Sequence, residues 1–356
     1  MVGARTATSR YTRLREDLDT SIFNSNWEEI AIESVAPKGS HFFGDLFSGA
    51  GGLSVGMKGA GFEKVFSIEN NPYASQTIRR NFPESIHFES DIELVSNEQL
   101  LQTLDGKKVD VVVGGPPCQG FSVAGHRRID DPRNKLFLEY CRVVEALQPK
   151  YFVMENVPGI LTMQKGTVKE AILDRFEQMG YAGTSVRILE AAEFGVPQLR
   201  TRAIFIGNRL GKRNPYPKPT HNKASYKTIE QAMEDLENAP RSADNNHEWT
   251  AHSKAFEERI SKVPPGGSLY ETFRDAFKRQ YRGVPSMAAK ENHGGTHIHY
   301  ALNRVLSARE LARLQTFPDD FFFEGGMKKA YWQIGNAVPC LLAQAIGKGI
   351  ISALES

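Results

Sequence analysis

Short apolar runs alternate with segments of helical periodicity between His41 and Leu210. The runs are rich in Val, Ile and Phe, are bounded by Gly, Pro or Asn, and cover 42–47, 64–68, 109–113, 151–154, 184–188 and 203–206. Between them, apolar residues recur at helical spacing, and Asn71-Pro72 has the cap and first-turn proline of a helix start. The pattern predicts an α/β fold with a mostly parallel sheet covered by helices on both faces.

The alternation stops after Leu210, and residues 211–300 are rich in Pro, Gly, Asn and Lys without a sustained period. Order returns where Ser307 and Glu310 form a predicted capping box, and an apolar helix is predicted over 339–351. We therefore predict three parts. They are an N-terminal extension (1–40), an α/β catalytic domain (41–214 and 331–356), and a smaller, loop-rich, mildly basic domain (215–330) that includes a motif at 303–318.

Composition excludes several classes of protein. The 356 residues are 40% apolar and carry a formal net charge of only +2, so a nucleic-acid surface would have to be local. No apolar run is long enough to span a membrane, and residues 1–38 lack a signal-peptide core. The three cysteines are far apart and lack zinc spacing, which indicates a reducing compartment.

The first fifteen residues are basic, with Arg5, Arg10, Arg13 and Arg15 and no acid. Three interpretations remain open for residues 1–39: a frayed terminal extension, a basic arm on a nucleic-acid backbone, or an organellar transit peptide.

Three strand ends suggest a nucleoside pocket. Residues 45–52 (Asp-Leu-Phe-Ser-Gly-Ala-Gly-Gly) follow the first strand, and their glycines would let the backbone approach a ligand closely. Glu69 ends the next strand, where a ribose-binding carboxylate is expected, and Asp91 stands where a third strand would end. Each acid alone could be a helix cap or a surface charge, but together they favour a nucleoside ligand without a pyrophosphate.

The stretch 114–122 (Gly-Gly-Pro-Pro-Cys-Gln-Gly-Phe-Ser) follows a buried strand and places Cys118 at its carboxyl end. Ligands of open α/β sheets bind at that edge. Polar neighbours make inert burial a poor interpretation of Cys118, whereas it suits Cys141 and Cys340. The polar loop that follows, to Asn134, could close over a ligand and grip phosphate through its arginines.

Glu155 ends the next strand at the same edge, where it is better suited to donate a proton or hydrogen bond to a substrate than to activate a thiol. Arg200 and Arg202 would project from one face of a strand and could hold an anionic or carbonyl-bearing substrate. The cluster 278–282 (Lys-Arg-Gln-Tyr-Arg) is typical of nucleic-acid binding or of a solvated helix face. We expect no metal, because His293, His297 and His299 lack zinc-site spacing and are better read as solvated or phosphate-facing loop residues.

Taken in order, these motifs resemble those of the DNA (cytosine-5)-methyltransferases of restriction–modification systems, from about Phe42 to Ile346. The resemblance implies a Rossmann-like S-adenosylmethionine-dependent methyltransferase fold with a target-recognition domain in the variable region. The implied cofactor-binding residues are Phe47, Ser48, Gly49, Gly51, Gly52, Leu53, Glu69, Asn70, Asp91, Ile92, Pro116, Leu136, Asn336 and Ala337. Asn70 stands where some members have an aromatic residue against the adenine.

The implied catalytic residues are Pro117, Cys118, Glu155, Asn156, Arg200 and Arg202, and the predicted DNA contacts are Gln119, Ser122, Arg133, Lys278, Arg279 and Arg282. In this family Cys118 would add to C6 of a flipped-out cytosine while Glu155 bonds N3, so that C5 takes the methyl group. The expected partner is double-stranded DNA. We expect a monomer in the cytoplasm of a bacterium or archaeon, associated with the nucleoid through DNA, with a separate cognate restriction endonuclease.

The sequence leaves three other functions open. The motifs do not distinguish DNA from RNA, so an RNA cytosine-5-methyltransferase is the first alternative, although the long variable region favours duplex DNA. A catalytically silent DNA-binding regulator would not need Cys118, Glu155 and Arg202 together. A cysteine hydrolase would need a histidine base near Cys118, and only His126 is close in sequence.

Overall fold

The computed structural model describes residues 26–117, 134–272, 276–290 and 297–356. Its strands are β1 Trp27–Ile30, β2 His41–Leu46, β3 Phe62–Glu69, β4 Ile86–Glu89, β5 Val111–Gly114, β6 Tyr151–Asn156, β7 Ser185–Glu190, β8 Gln198–Leu199, β9 Thr201–Asn208, β10 Asn214–Pro217, β11 Lys278–Arg279, β12 Ser286–Met287 and β13 His297–Ile298. Its α-helices are α1 Gly52–Ala60, α2 Pro72–Asn81, α3 Asn97–Leu104, α4 Lys135–Leu147, α5 Thr167–Gln178, α6 Ile229–Met233, α7 Lys254–Ser261, α8 Ala308–Leu314, α9 Gly326–Asn336 and α10 Cys340–Glu355.

Seven strands form the central sheet in the order β4-β3-β2-β5-β6-β9-β7. The five from β4 to β6 are parallel, and β9 is antiparallel to both β6 and β7. Parallel neighbours need a crossover connection, which α1, α2 and α4 supply, whereas β7 and β9 pair antiparallel across a short connection. The predicted α/β fold with a mostly parallel sheet is confirmed.

Helices cover both faces of the sheet, and the strands are apolar on both sides for that reason. Val111 and Val113 on β5 point to the face covered by α1 and α10, while Val112 between them points to the face covered by α4 and α5. On the second face, the Phe152 and Phe176 rings stack with their centroids 3.9 Å apart.

Two local predictions at helix starts are confirmed. The Asn71 side chain accepts hydrogen bonds from the backbone amides of residues 73 and 74, with Pro72 in the first turn of α2. Ser307 and Glu310 form the reciprocal capping box of α8. Both devices satisfy amide groups that have no partner within the helix.

The segment predicted as an N-terminal extension contains a strand. β1 pairs in parallel with β10, and the Arg187 guanidinium lies 3.8 Å from the centre of the Trp27 ring and 3.0 Å from the Glu29 carboxylate. A frayed extension is therefore wrong for residues 27–30. Residues 1–25, with the predicted basic arm or transit peptide, lie outside the described residues.

The region between β10 and α8 has little regular structure, as predicted, and joins the sheet through a third apolar cluster. That cluster brings Ile229, Met233 and Leu306 of this region together with Ile78 of α2 and Leu311 of α8. Among the described helices, no single one is long and apolar enough to cross a membrane; α9 and α10, bent by 41° at the break between them, meet that length and composition test only as a pair.

Candidate active site at the carboxyl edge of the sheet

The glycine-rich loop after β2 makes a tight turn through left-handed backbone conformations, which favour glycine. Phe47, Gly49 and Gly51 all have positive φ, at 56°, 51° and 87°. A Cβ on Gly52 would lie 2.2 Å from the Val338 carbonyl oxygen, whereas one on Gly49 would meet nothing within 4 Å. The loop therefore packs against residues 337–338 on one side and leaves open space on the other.

Glu69 ends β3 directly beside this loop. Its carboxylate oxygens accept hydrogen bonds from the Gly49 and Asn71 amides, each at 2.8 Å. Burial raises the pKa of Glu69, and these amide bonds oppose the rise. Asn70, which lies between Glu69 and Asn71 in the chain, is exposed.

Asp91 follows β4 at the same edge. Its carboxylate accepts a hydrogen bond from the Glu93 amide at 3.1 Å and caps a short 3-10 helix that begins at the buried Ile92. Because β3 and β4 are parallel neighbours, Glu69 and Asp91 lie at one edge, as the sequence predicts for a nucleoside pocket. A helix cap is one of the roles that the sequence left open for Asp91.

Asp45, which ends β2 just before the loop, is fully buried with Lys64 of β3. Its carboxylate accepts a hydrogen bond from the Ser54 hydroxyl at 2.5 Å. Burial raises the pKa of Asp45 to about 6 and lowers the pKa of Lys64 to about 8, and the attraction between the two charges reduces both shifts.

This raised pKa predicts a pH-dependent stability. Between about pH 4 and pH 6 the folded chain binds the Asp45 proton more tightly than the unfolded chain, so the free energy of unfolding falls as the pH rises through that window. Asp45→Asn removes this dependence. Urea unfolding midpoints across that range should therefore fall more steeply for the wild type than for the variant, and parallel curves would contradict the prediction.

The segment after β5 approaches the end of β6 next to Glu155. The Asn156 side chain donates to the Pro116 carbonyl at 3.0 Å and accepts from the Val157 amide at 2.8 Å. A Cβ on Gly115 would lie 2.9 Å from a Glu155 carboxylate oxygen. Asn156 thus holds the chain that leads through Pro117 to Cys118, which lies outside the described residues together with Gln119, Ser122 and Arg133.

Arg202 meets Glu155 across the β6–β9 pair. Its Nε lies 2.5 Å from the Glu155 Oε1, and both side chains are largely buried. Because β9 is antiparallel, its first residues lie at the edge where the parallel strands end, and Ala203 pairs with Asn156. A carboxyl and a guanidinium in this geometry can donate to, and neutralise charge on, a planar heterocycle.

Arg200 does not share that position, and the predicted catalytic role is wrong for it. Its side chain is 3% exposed, and its guanidinium donates to the carbonyls of Ala289 at 2.6 Å, Gly335 at 2.8 Å and Ala337 at 3.0 Å. Burial and these internal acceptors leave Arg200 as a structural residue behind the site.

The remaining predicted cofactor residues lie around the loop at different depths. Leu53, Ile92 and Ala337 are buried, Leu136 at the start of α4 is half-buried, and Asn336 is exposed at the end of α9. The Ser48 amide bonds to the Ile68 carbonyl at 3.2 Å, which fixes the loop to β3. Ser48 also has a buried hydroxyl with no hydrogen-bond partner among the described residues.

Among the predicted DNA contacts, Arg282 is exposed and Lys278 half-buried, but Arg279 is buried at 6% exposure. The Arg279 guanidinium makes five hydrogen bonds to acceptors on residues 260, 263, 299, 302 and 303. It therefore joins the loops of the smaller region, and the predicted DNA contact is wrong for it.

We expect Arg279→Met to lower the free energy of unfolding by about 3 kcal/mol or more, because several buried carbonyls lose their donor. Arg282→Met is the matched control: this residue is exposed, and its guanidinium lies 5.6 Å from the centre of the Tyr300 ring, a contact of about 1 kcal/mol at most. Urea unfolding compares the two variants, and equal midpoints would contradict the assignment.

The histidines predicted as solvated or phosphate-facing are buried where they are described. His297 lies 3.1 Å from the Met287 carbonyl, and the His299 Nδ1 accepts from the Ala301 and Leu302 amides. Burial lowers the pKa of both histidines to about 4. Within the described ranges, no three His, Cys, Asp or Glu side chains converge as a metal site would require.

The two described cysteines are free and buried, as predicted. Burial raises the pKa of Cys141 to about 12 and also raises the pKa of Cys340 well above its usual value. Neither thiol is therefore placed to act as a nucleophile near neutral pH.

The fold and the site are those of a doubly wound α/β enzyme, in which the ligand binds in a crevice at the carboxyl ends of the parallel strands. The chain belongs to the C-5 cytosine-specific DNA methylase family, whose model matches residues 42–352, and it is a DNA (cytosine-5)-methyltransferase. It is 43% identical over 322 residues to the type II methyltransferase M1.HphI of Haemophilus parahaemolyticus, covering 86% of both chains.

A second relative, the type II methyltransferase M.DdeI of Desulfomicrobium norvegicum, is 34% identical over 367 residues, covering 86% of this chain and 87% of that one. Among solved structures, a prophage-encoded protein of E. coli described as a DNA modification methyltransferase superposes with a TM-score of 0.71 at 28% identity. The match covers 89% of this chain and all of that one. The family resemblance inferred from the motifs is thereby confirmed.

Proposed function

We propose that this enzyme methylates C5 of a flipped-out cytosine within one short duplex DNA sequence, using S-adenosylmethionine, as the modification half of a restriction–modification system. The observation that carries the proposal is the Glu155–Arg202 pair beside the chain leading to Cys118. Both named relatives are type II methyltransferases, which supports the restriction–modification role.

The residues at the strand ends fit a nucleoside cofactor. The space beside Gly49 would admit a ligand against bare backbone, and the Glu69 carboxylate next to it is suited to a ribose hydroxyl pair. We assign Glu69, Asp91 and the loop 47–53 to S-adenosylmethionine, with Asn336 and Ala337 on its methionine side. When bound there, S-adenosylmethionine supplies an electrophilic methyl group on a sulfonium.

The chemistry assigned to the chain's own residues starts at Cys118. Its thiolate forms a bond to C6 of the cytosine, the C5=C6 electron pair forms a new C4=C5 bond, and the C4=N3 electron pair takes up a proton at N3 from the Glu155 carboxyl. Arg202 offsets the negative charge that develops on the ring. C5 then becomes nucleophilic enough to take the methyl group.

Release reverses the addition. A base removes the C5 proton, the S–C6 bond breaks, and the C5=C6 bond is restored as N3 returns its proton to Glu155. Because C6 is inaccessible in a duplex, the base must leave the stack, at a cost of a few kcal/mol that phosphate contacts and pocket stacking offset.

The test combines labelled S-adenosylmethionine with mixed-sequence duplex DNA, comparing the wild type with Cys118→Ala. We expect label in wild-type DNA, none with the variant, and conversion sequencing that maps C5 methylation to cytosines of one short motif. Cys141→Ala is the matched control, because that thiol is buried and should leave transfer intact.

Three outcomes would contradict the proposal. Transfer that survives in Cys118→Ala would overturn the covalent mechanism. Transfer to RNA instead of DNA, by a wild type that binds the cofactor, would favour the RNA alternative. The partner endonuclease must cleave the mapped motif only when that motif is unmethylated. A partner endonuclease that cleaves a different sequence would contradict the restriction role.

A further inference from the structure

Three buried side chains behind the site, Gln198, Arg200 and Gln315, form what we name the glutamine–arginine cluster. Gln198 and Gln315 are fully buried, and the Gln198 Nε2 donates to the Gln315 Oε1 at 3.1 Å. Neither the fold of the sheet nor the chemistry proposed above uses these groups. Besides the Leu314 carbonyl, which accepts from Gln198 at 2.9 Å, the backbone partners of these side chains lie on two segments that are far apart in sequence.

The first segment is Ala289, in the smaller region. The cluster holds both polar groups of this residue: the Ala289 amide donates to Gln198 at 2.7 Å, and its carbonyl accepts from Arg200 at 2.6 Å. Ala289 lies just after β12, which pairs with β8 through Ser286 and Gln198. A movement of residues 286–289 of the smaller region would therefore change the hydrogen bonds of the cluster directly.

The second segment is the end of α9. Arg200 donates to the carbonyls of Gly335 and Ala337, and Gln315 donates to those of Ile334 at 2.8 Å and Ala337 at 3.1 Å. Carbonyls at a helix end have no partner within the helix. Here the cluster supplies those partners, and its own position fixes where the helix ends.

That helix end bears on the cofactor loop. The Val338 carbonyl lies so close to Gly52 that even a Cβ there would come within 2.2 Å of it. The Gln315 carbonyl also accepts from the Cys340 amide at 2.9 Å, which fixes the start of α10. A continuous series of buried contacts thus runs from Ala289 through Arg200 and Gln315 to the loop at Gly52.

We propose that the glutamine–arginine cluster couples DNA binding by the smaller region (215–330) to cofactor binding at the glycine-rich loop, so that each ligand raises the affinity for the other. The proposal rests on the proposed function for its two ligands. The Arg200 guanidinium is a rigid planar fork, so a shift of Ala289 relative to Ala337 must either move both segments or leave a buried donor unpaired. Arg200 and Gln315 are then positioning residues.

The wild-type test measures binding of S-adenosylhomocysteine by calorimetry, with and without a short duplex carrying the mapped motif. We expect the duplex to tighten this binding about fivefold or more, since coupling between sites is reciprocal and usually of that size. In hydrogen exchange, the duplex alone should slow the amides of residues 334–340. A ratio near one, or unchanged exchange there, overturns the proposal without any variant.

The variants locate the coupling. In Gln315→Met and in the milder Arg200→Lys, the duplex should change S-adenosylhomocysteine affinity less than twofold, while each ligand alone still binds within about threefold of the wild type. Gln344→Met is the matched control, because Gln344 also donates to a carbonyl, that of Gly59 at 2.6 Å, but lies between α10 and α1 only. It should keep the full wild-type ratio.

The outcomes separate the two proposals. If the wild type binds no S-adenosylhomocysteine at all, the proposed cofactor is wrong. If both ligands bind and the variants keep the wild-type ratio, only the coupling by the cluster is wrong. If Gln315→Met does not fold, Arg200→Lys and the wild-type exchange pattern decide the matter.

Discussion

Glu155→Gln should slow methyl transfer by about 10²–10⁴-fold, the range expected when a positioned acid is removed. Glutamine keeps the shape of the side chain but has no proton to give to N3, so addition of Cys118 at C6 would leave negative charge on the ring. The variant also leaves Arg202, whose Nε lies 2.5 Å from Glu155, without its carboxyl partner. The loss corresponds to about 3–5 kcal/mol of transition-state stabilisation.

The measurement is single-turnover transfer at saturating cofactor, with DNA and S-adenosylhomocysteine affinities measured alongside. Those affinities should stay within a few-fold of the wild type. Glu145→Gln is the matched control, since Glu145 pairs with Arg175 at 3.0 Å between α4 and α5, where both side chains are partly exposed. Such a surface pair contributes about 1 kcal/mol at most, and transfer should be unchanged. A wild-type rate in Glu155→Gln would refute its role as the acid.

The strand ends could be predicted because parallel strands share one carboxyl edge. Glu69 follows an apolar run, Asp91 stands where a third strand is expected to end, and the shared carboxyl edge of parallel strands brings them together. The Glu155–Arg202 contact could not be predicted in this way. It depends on β9 lying antiparallel beside β6, while β7, which precedes it in sequence, lies on its far side.

Basic residues were the main source of wrong site predictions. An arginine in a polar segment has the same sequence signature whether it faces DNA or is buried against carbonyls. Arg279 binds acceptors spread over residues 260–303, and Arg200 binds carbonyls at 289, 335 and 337. Only the tertiary fold brings such acceptors to one guanidinium.

β1 was missed for a related reason. Its sequence, Trp-Glu-Glu-Ile, has two acids and too short an apolar pattern to predict a strand. It is held by the distant Arg187, which covers Trp27 and pairs with Glu29, and by the backbone of β10. Capping residues such as Asn71 and Ser307 were predictable because their partners are within three residues along the chain.

Gly52→Ala should both destabilise the fold and weaken cofactor binding, through one steric conflict. The new Cβ would lie 2.2 Å from the Val338 carbonyl oxygen and 3.2 Å from the Ala337 Cβ. That carbonyl belongs to the main chain, and the neighbouring Ala337 carbonyl is held by Arg200 and Gln315, so the segment cannot turn aside. Relief requires a shift between α1 and residues 337–338, at about 1–3 kcal/mol.

Because Gly52 closes the loop that we assign to S-adenosylmethionine, the same shift should raise the dissociation constant of S-adenosylhomocysteine about tenfold or more. Gly59→Ala in the same helix is the matched control. Its nearest atom is the end of the flexible Gln344 side chain at 3.2 Å, and alanine favours the helix by up to about 1 kcal/mol. In urea unfolding, Gly52→Ala should therefore have a lower midpoint than Gly59→Ala, and in calorimetry it should bind S-adenosylhomocysteine more weakly. If the two variants behave alike, the loop does not depend on its contact with Val338.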